Sequence, residues 1–225
     1  HAHMITVHHL KNSRSMRIIW LMEELGLDYE LKVYDRNPET NLAPEDYRAL
    51  HPLGKAPLVT VDGVTLAETG AIVEYFLDKH PESGLRPDQG TPERVPYQYW
   101  MHAAEGSLMP LLIMQLFFTR METTPPFPIK QIVKAVTGKV RDLYLSPSLK
   151  GIMSYIEAEL GKSEYFAGDK LSGADIMMSF PLEAGMARAN TGIAMPNTIA
   201  WLERIHSRPA YKAAVQKGGA QEIVR

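Results

Sequence analysis

Hydrophobic residues near the middle of the first hundred positions form two short runs and then a helical repeat. Residues 58–61 and 64–67 are rich in strand-forming side chains, and Asp62-Gly63 separates them. Asp-Gly between two such runs is the strongest short-range signal for a β-hairpin. The next apolar residues follow helical spacing: Ile72, Val73, Phe76 and Leu77. This stretch therefore predicts a strand, a tight turn, a second strand and a helix.

The residues before this hairpin alternate between strand and helix patterns. Residues 5–8 and 29–34 have the composition of strands, and the segment between them is an amphipathic helix that ends before Gly26. Glycine just past the last apolar position is a typical helix end, because it adopts the left-handed conformation without strain. A short helix is expected over residues 44–50. The order β-α-β-α-β-β-α predicts an α/β domain of the thioredoxin-like type with a mixed four-stranded sheet.

Strand patterns stop after this first domain. Residues 81–92 hold three prolines and two glycines, a composition typical of a linker. Two long helical regions follow, over residues 95–120 and 129–160. Pro110 is expected to kink the first region or to be absorbed by neighbouring helices, and the second region is expected to break at Ser146-Pro147. The predicted organisation is a thioredoxin-like domain at 4–82, a linker at 83–93 and an all-α domain at 94–225.

The last third of the chain adds one clear helix start. Ser172 and Asp175 have the spacing of a capping box, in which each side chain satisfies a backbone N–H of the other. An apolar helix is expected after it, over residues 176–186. Two short helices are predicted over residues 196–207 and 209–217, each beginning at a proline.

Composition and charge narrow the classes of function. The 225 residues are 45% hydrophobic and carry a net charge of −2, so bulk electrostatics favours neither a nucleic-acid partner nor an anionic membrane. No run of eighteen apolar residues predicts a transmembrane helix, and a cytoplasmic protein is expected. The chain has no cysteine, which excludes disulfides, thiolate metal sites and a cysteine nucleophile.

Two features of the hairpin region suit a peptide-like ligand. Pro57 stands where a strand begins, and a cis bond after Ala56 would turn the backbone groups of Ala56 towards an extended ligand. Thr69 is expected at the N-cap of the following helix, whose N-terminus attracts carboxylates. Glu68 beside it could take an ammonium group. A pocket offering both suits an amino-acid head group joined to a short peptide.

The motifs PLGKAPLV and LAETGAIVEYF resemble the glutathione-binding half of the glutathione S-transferase family. SRSMRIIWLMEELGL and LSGADIMMSFPL extend the resemblance over nearly the whole chain. It implies that Ala56, before a cis-Pro57, pairs with the cysteinyl backbone of glutathione. It also implies that Glu68 and Thr69 hold the γ-glutamyl end and that Lys55 lies near the glycyl end. A homodimer and a small apolar electrophile as second substrate are the partners that the family implies.

The group that activates the thiol should lie just after the first strand. Family members that use tyrosine would carry it at the position of His8, so this chain resembles those without it. The candidates are then Asn12, Ser13 and Ser15, and we expect Ser13 to be the donor, with Asn12 second and assisting. The alternative for Ser13 is a plain N-cap of the first helix.

The other polar residues near this place are given smaller roles. Arg14 and Arg17 are expected to be solvated and to contribute positive field only. His102 and Glu105, one helical turn apart, are expected to form a surface pair or an interface contact. His8 and His9 are adjacent on a strand and point to opposite faces, and no third ligand is evident, so no metal site is predicted.

Three functions fit these residues. The first is a transferase that activates glutathione as a thiolate for attack on apolar electrophiles. The second is glutathione-dependent reduction of peroxides or disulfides without a protein cysteine. The third is a non-catalytic, regulatory module that binds glutathione, because a fold alone does not fix a function.

Overall fold

The computed structural model describes residues 4–220. The first three residues, and the last five of the predicted second domain, lie outside the described part of the chain. The N-terminal domain contains, in chain order, β1 Ile5–Leu10, α1 Met16–Leu25, β2 Glu30–Tyr34, α2 Glu45–Arg48, β3 Leu58–Val61, β4 Val64–Ala67 and α3 Thr69–Lys79.

The four strands form one mixed sheet in the order β2-β1-β3-β4. Strand β1 pairs in parallel with β2 and antiparallel with β3, and β3 and β4 form the predicted hairpin. Both turn residues of that hairpin, Asp62 and Gly63, have positive φ angles of 49° and 84°, as the hairpin turn that Asp-Gly favours requires. Helix α1 ends at Gly26 in the left-handed conformation, also as predicted. The expected thioredoxin-like arrangement is therefore present.

From residue 80 to residue 220 the regular elements are helical, beginning with a short 3₁₀ turn at Pro81–Ser83, apart from an isolated β-bridge between Tyr165 and Gly168. The helices are α4 Arg94–Ala103, α5 Met109–Thr123, α6 Ile129–Val140, α7 Ser146–Lys162, α8 Gly173–Arg188, α9 Pro196–His206 and α10 Pro209–Gly218. Five-residue π-helical segments join α4 to α5, at Ala104–Leu108, and α6 to α7, at Arg141–Leu145.

Each π-helical segment explains how a proline enters a long helical rod. Pro110 and Pro147 are the second residues of α5 and α7, directly after the two segments. A proline has no N–H and its ring collides with the carbonyl four residues earlier. The residue before each proline bonds five residues back, Met109 to Ala104 and Ser146 to Arg141. The wider turn thus absorbs both prolines. The break expected at Ser146-Pro147 is wrong, because the helical path of α6 continues through Arg141–Leu145 into α7.

The rod from Arg94 to Thr123 is long and apolar enough to pass a test for a membrane-spanning helix by length and composition alone, although the sequence predicted no such segment. Core helices of globular proteins also pass this test, so it is weak evidence. In this rod Tyr97, Trp100 and Leu108 are buried in the hydrophobic core.

The start of α8 confirms the predicted capping box and adds to it. Ser172 accepts from the Ala174 N–H, and Asp175 accepts from the Ser172 N–H. Asp175 is fully buried and also accepts from the Phe166 N–H and from the indole N–H of Trp201, each at 2.9 Å. Burial raises the pKa of Asp175 to about 6, although these donors act in the opposite direction.

Replacing Asp175 with asparagine is expected to lower the free energy of unfolding by about 2–4 kcal/mol. The amide NH₂ of asparagine cannot accept, so at least one buried N–H group would lose its partner. Chemical denaturation of wild type and variant measures the change. The exposed Asp169 offers a matched control, and Asp169→Asn should stay within about 0.5 kcal/mol. Equal stabilities of D175N and wild type would contradict the role given to this carboxylate.

Candidate active site

A cleft of about 300 Å³ opens between the two domains. The sheet domain contributes Asn12, Arg14, Arg36 and Asn41 from its loops. The helical domain contributes residues of α5 and α8: Met109, Leu112, Ile113, Leu116, Arg120, Phe180, Glu183, Ala184 and Arg188. The loop after β1, where the thiol-activating group is expected, therefore faces this cleft.

The structure separates the two favoured candidates for that group. Asn12 is exposed and lines the cleft, with a positive φ of 55° that asparagine tolerates better than most residues. Ser13 is only 6% exposed, and its hydroxyl lies 2.6 Å from the Leu10 carbonyl and 2.7 Å from the Ser15 hydroxyl. Because the carbonyl can only accept, the Ser13 proton points into the protein. Of the two residues, Asn12 is therefore the one that faces the cleft, while the hydroxyl of Ser13 is turned away from it.

Ser15, the third candidate, belongs to a buried chain of hydrogen bonds behind the loop. Its hydroxyl lies 2.7 Å from His9 Nδ1, and His9 Nε2 lies 2.8 Å from the Gly218 carbonyl at the end of α10. Since that carbonyl only accepts, Nε2 carries a proton. Burial lowers the pKa of His9, and in the neutral ring Nδ1 accepts from Ser15. Helix α10 thus supports the loop through His9.

His8 turns the other way, as its place next to His9 on a strand predicted. Its two ring nitrogens contact the Tyr34 hydroxyl at 3.0 Å and the Thr60 hydroxyl at 2.8 Å. Within residues 4–220 no group of three or more acidic or histidine side chains is placed to hold a metal ion.

Arg17 and Glu105 form a partly buried ion pair, contrary to the solvated arginine and the surface glutamate expected from the sequence. Arg17 is 2% exposed, and its guanidinium lies 2.5 Å from the Glu105 carboxylate. It also donates to the Met177 carbonyl at 2.7 Å and to the Thr69 hydroxyl at 3.2 Å. Arg14 reaches the same carboxylate at 3.0 Å. These contacts link α1 to α3, α8 and the segment between α4 and α5.

The charge of Glu105 is fixed by this pair. Burial alone would raise the pKa of its carboxyl, but Arg17 and Arg14 outweigh burial and hold it below its ordinary value. The sequence did not predict this ion pair, because Glu105 lies 88 residues after Arg17 and local sequence patterns do not reveal contacts between residues so far apart.

Glu68 and Thr69 lie side by side at the start of α3, one position away from the expected alignment. Thr69 is the first helical residue, and Glu68 occupies the N-cap. Glu68 has a φ of 74°, a conformation that costs a non-glycine residue energy and that clusters at functional sites. Its side chain is exposed, and no residue in 4–220 forms a hydrogen bond or a salt bridge with its carboxylate, which acts on Arg17 only through its charge. Thr69 is buried and held by Arg17.

The segment before β3 leaves backbone groups of Ala56 outside the hydrogen bonds of the sheet. The Ala56–Pro57 bond is cis, and Pro57 is buried while Lys55 is exposed. The ladder between β1 and β3 ends where His8 faces Leu58. The amide and carbonyl of Ala56 therefore lie beyond the paired part of the sheet.

Arg36 is a site residue that the sequence did not reveal. Its guanidinium donates to the carbonyls of Lys11, Asn12 and Asn41 at 3.0–3.1 Å. It thereby ties the loop that carries Asn12 to the loop after β2. An isolated arginine in a polar loop gives no signal of this role.

Family models match both halves of the chain. The model of the glutathione S-transferase N-terminal domain matches residues 2–78, and that of the C-terminal domain matches residues 109–209. The chain belongs to the glutathione S-transferase family. It has the glutathione transferase function of that family, as the resemblance implied.

Individual transferases are similar over almost the full chain. Glutathione S-transferase 3 of Schizosaccharomyces pombe is 37% identical, over 95% of this chain and 88% of its own. Glutathione S-transferase 1 of Saccharomyces cerevisiae is 34% identical, over 96% of each chain. A crystal structure of a glutathione S-transferase from Actinobacillus pleuropneumoniae, 34% identical, superposes with a TM-score of 0.78 and covers 99% of this chain and 96% of its own.

Membership in this transferase family confirms the fold class, the enzyme class and glutathione as the family's substrate. The roles of individual residues are inferred from the positions of their side chains and backbone groups around the cleft.

Proposed function

We propose that the chain binds glutathione along the edge formed by Lys55, Ala56, Glu68 and Thr69, and that Asn12 stabilises its thiolate for attack on an electrophile in the cleft. The observation that carries this proposal is the exposed, unpaired Glu68 carboxylate in a costly backbone conformation. The positive end of the helix dipole favours a carboxylate at this position. Because the Glu68 carboxylate is exposed, it remains accessible to an external ammonium group.

The γ-glutamyl end of glutathione carries both an ammonium and a carboxylate. In the proposal Glu68 takes the ammonium, and the N-terminus of α3 at Thr69 takes the carboxylate, since unpaired N–H groups and the helix dipole favour an anion. The free amide and carbonyl of Ala56 pair with the cysteinyl backbone, and cis-Pro57 begins the adjoining strand. The exposed ammonium of Lys55 receives the glycyl carboxylate.

The thiol then lies near the loop after β1. A free thiol has a pKa near 8.5, and lowering it by about two units takes about 2.7 kcal/mol of preferential stabilisation of the thiolate. A hydrogen bond to the charged sulfur from the Asn12 carboxamide, together with the start of α1, can supply this amount. Ser13 and Ser15 hold the loop in place rather than contact the sulfur.

Glu68→Ala is expected to weaken glutathione binding at least about tenfold, because a charge-assisted contact to an ammonium contributes about 1.5–3 kcal/mol. Folding should be unaffected, since Glu68 is exposed. Calorimetric titration with glutathione measures the change, and Glu68→Gln separates loss of charge from loss of shape. Glu39→Ala, at an exposed loop position of the same domain, serves as the control. Unchanged affinity in both Glu68 variants would remove this assignment.

The transferase reaction is tested by turnover of 1-chloro-2,4-dinitrobenzene with glutathione, beside turnover of an organic peroxide and of a mixed disulfide. We expect the aryl halide to be the best substrate of the three. If the peroxide or the disulfide is the best substrate, the main activity is glutathione-dependent reduction. If none of the three compounds is turned over, the protein is a non-catalytic module that binds glutathione.

A homodimer and a cytoplasmic location belong to the same proposal. In support of a dimer, Tyr99 on α4 is 46% exposed and lies edge-on to Tyr155 on α7, which is 44% exposed. Aromatic residues left exposed in this way are enriched at protein interfaces. The surface proposed to contribute is residues 99–109, and Tyr155 lies beside it.

A further inference from the structure

We propose that the electrophile site selects second substrates that join an apolar body to an anionic group. This inference rests on the proposed function and narrows its substrate class from apolar electrophiles in general to apolar anions. The anion would be a carboxylate or a sulfonate, and the arginines of the cleft would receive it.

The apolar half of the site is the wall that the helical domain contributes. Its lining side chains are Met109, Leu112, Ile113 and Leu116 of α5 and Phe180 and Ala184 of α8. Such a wall buries a flat aromatic body, and removing that body from water stabilises the complex in proportion to the buried area.

The charged half of the site is strongly positive. Four of the thirteen lining residues are arginines, Arg14, Arg36, Arg120 and Arg188, and Glu183 is the only acidic one. The Glu183 carboxylate already contacts His206 and the Tyr211 hydroxyl. The chain as a whole has a net charge of −2, so this concentration of arginines opposes the overall sign.

Not every arginine in this group contributes free charge. Arg14 is balanced by Glu105, and Arg188 also has an interaction of its own, so neither is counted as a source of free positive charge. Arg36 binds three carbonyl oxygens, which are neutral, so its positive charge remains uncompensated. Arg120 is exposed at the rim, and residues 4–220 provide it with no acidic partner. The field in the cleft therefore comes chiefly from Arg36 and Arg120.

Glutathione does not account for these charges. Its two carboxylates are assigned to the start of α3 and to Lys55, neither of which lines the cleft. Arg120 in particular projects from α5, in the other domain. Arginine binds carboxylates and sulfonates well because its planar guanidinium can donate two parallel hydrogen bonds, and a cleft with apolar walls strengthens the attraction.

The first experiment compares two aryl chlorides that differ in charge, 4-chloro-3-nitrobenzoate and neutral 4-chloro-3-nitrobenzamide. In both, the glutathione thiolate forms a bond to the ring carbon, chloride leaves with the electron pair of the carbon–chlorine bond, and the thiol proton passes to solvent. Each kcat/KM is divided by the uncatalysed rate constant. We expect this quotient, the rate enhancement, to be at least about tenfold greater for the benzoate than for the amide. The difference between the two compounds should be larger at low salt than at high salt.

Substitutions identify the source of this preference. Arg120→Met should reduce the ratio of benzoate to amide enhancement at least about fivefold, in line with loss of one charge-assisted hydrogen bond. Lys150→Met removes one positive charge from an exposed position outside the cleft and should leave the ratio unchanged. Equal ratios in Arg120→Met and wild type would overturn the inference.

A second experiment compares two compounds that do not react with glutathione, as inhibitors of 1-chloro-2,4-dinitrobenzene turnover. Differences in the chemical reactivity of the compared compounds therefore play no part. Naphthalene-1-sulfonate should inhibit competitively at a concentration at least about tenfold lower than naphthalene-1-sulfonamide, and Arg120→Met should reduce that difference. If the dinitrobenzene is turned over and the two compounds inhibit equally, the anion preference is wrong while the transferase stands. If no electrophile is turned over, the proposed function fails and this inference with it.

Discussion

Glu105→Ala is expected to lower the free energy of unfolding by about 3 kcal/mol, because it leaves the buried Arg17 guanidinium without its counter-charge. Arg17 has almost no exposed surface in the folded protein, so its charge is poorly hydrated there and depends on this carboxylate. Equilibrium unfolding in urea measures the loss. Below the ordinary carboxyl pKa of 4.5, acidification should have a similar effect on the wild type, because the lowered pKa of Glu105 means that stability is lost as the carboxylate is protonated.

The matched control is Glu159→Ala, which breaks an ion pair with the exposed Lys162. A surface pair of this kind contributes about 0–1 kcal/mol. The Glu105 variant should also bind glutathione more weakly, because Arg17 holds the Thr69 hydroxyl at the start of α3. A Glu105 variant as stable as Glu159→Ala would show that Arg17 finds another partner, and the description of this pair would then be wrong.

Asn12→Ala is expected to reduce kcat/KM for 1-chloro-2,4-dinitrobenzene by one to two orders of magnitude, about 1.4–2.8 kcal/mol, by removing one hydrogen bond to the thiolate. The pKa of enzyme-bound glutathione should rise by a corresponding amount, while its dissociation constant changes little. Thiolate absorbance of the complex, recorded against pH, measures that pKa directly.

Two variants make this result specific. Asn190 is exposed and has a φ of 48°, so Asn190→Ala carries the same backbone penalty as Asn12→Ala without touching the cleft. Ser13→Ala should disturb the loop without moving the thiol pKa, because its hydroxyl donates to Leu10. If Ser13→Ala shifts the titration curve and Asn12→Ala does not, the original ranking of the two residues is restored.

Local patterns predicted the elements of the fold because local chemistry determines them. The Asp62-Gly63 turn, the end of α1 at Gly26 and the capping box at Ser172 each depend on residues within a few positions of one another. The start of α3 was displaced by one residue because Glu68 adopts an unusual positive φ, which no propensity anticipates for glutamate.

The active site was harder to predict because distant contacts decide its orientation. Ser13 has the right residue type and the right place, yet the Leu10 carbonyl and Ser15 draw its hydroxyl inward. Arg17 was expected in solvent because its partner, Glu105, comes from the other domain. The loop that carries Asn12 is tied by Arg36, whose role depends on how the loops after β1 and β2 meet.

The bond between His9 and the Gly218 carbonyl bears on how the enzyme matures during translation. The two residues are 209 positions apart, and N-terminal domains generally fold first as a chain leaves the ribosome. The sheet can therefore form while His9 still lacks its acceptor and α1 lacks its contact with α10. The Asn12 loop gains this support only after Gly218 has emerged, so a nascent chain should acquire full activity late, well after its glutathione-binding domain has folded.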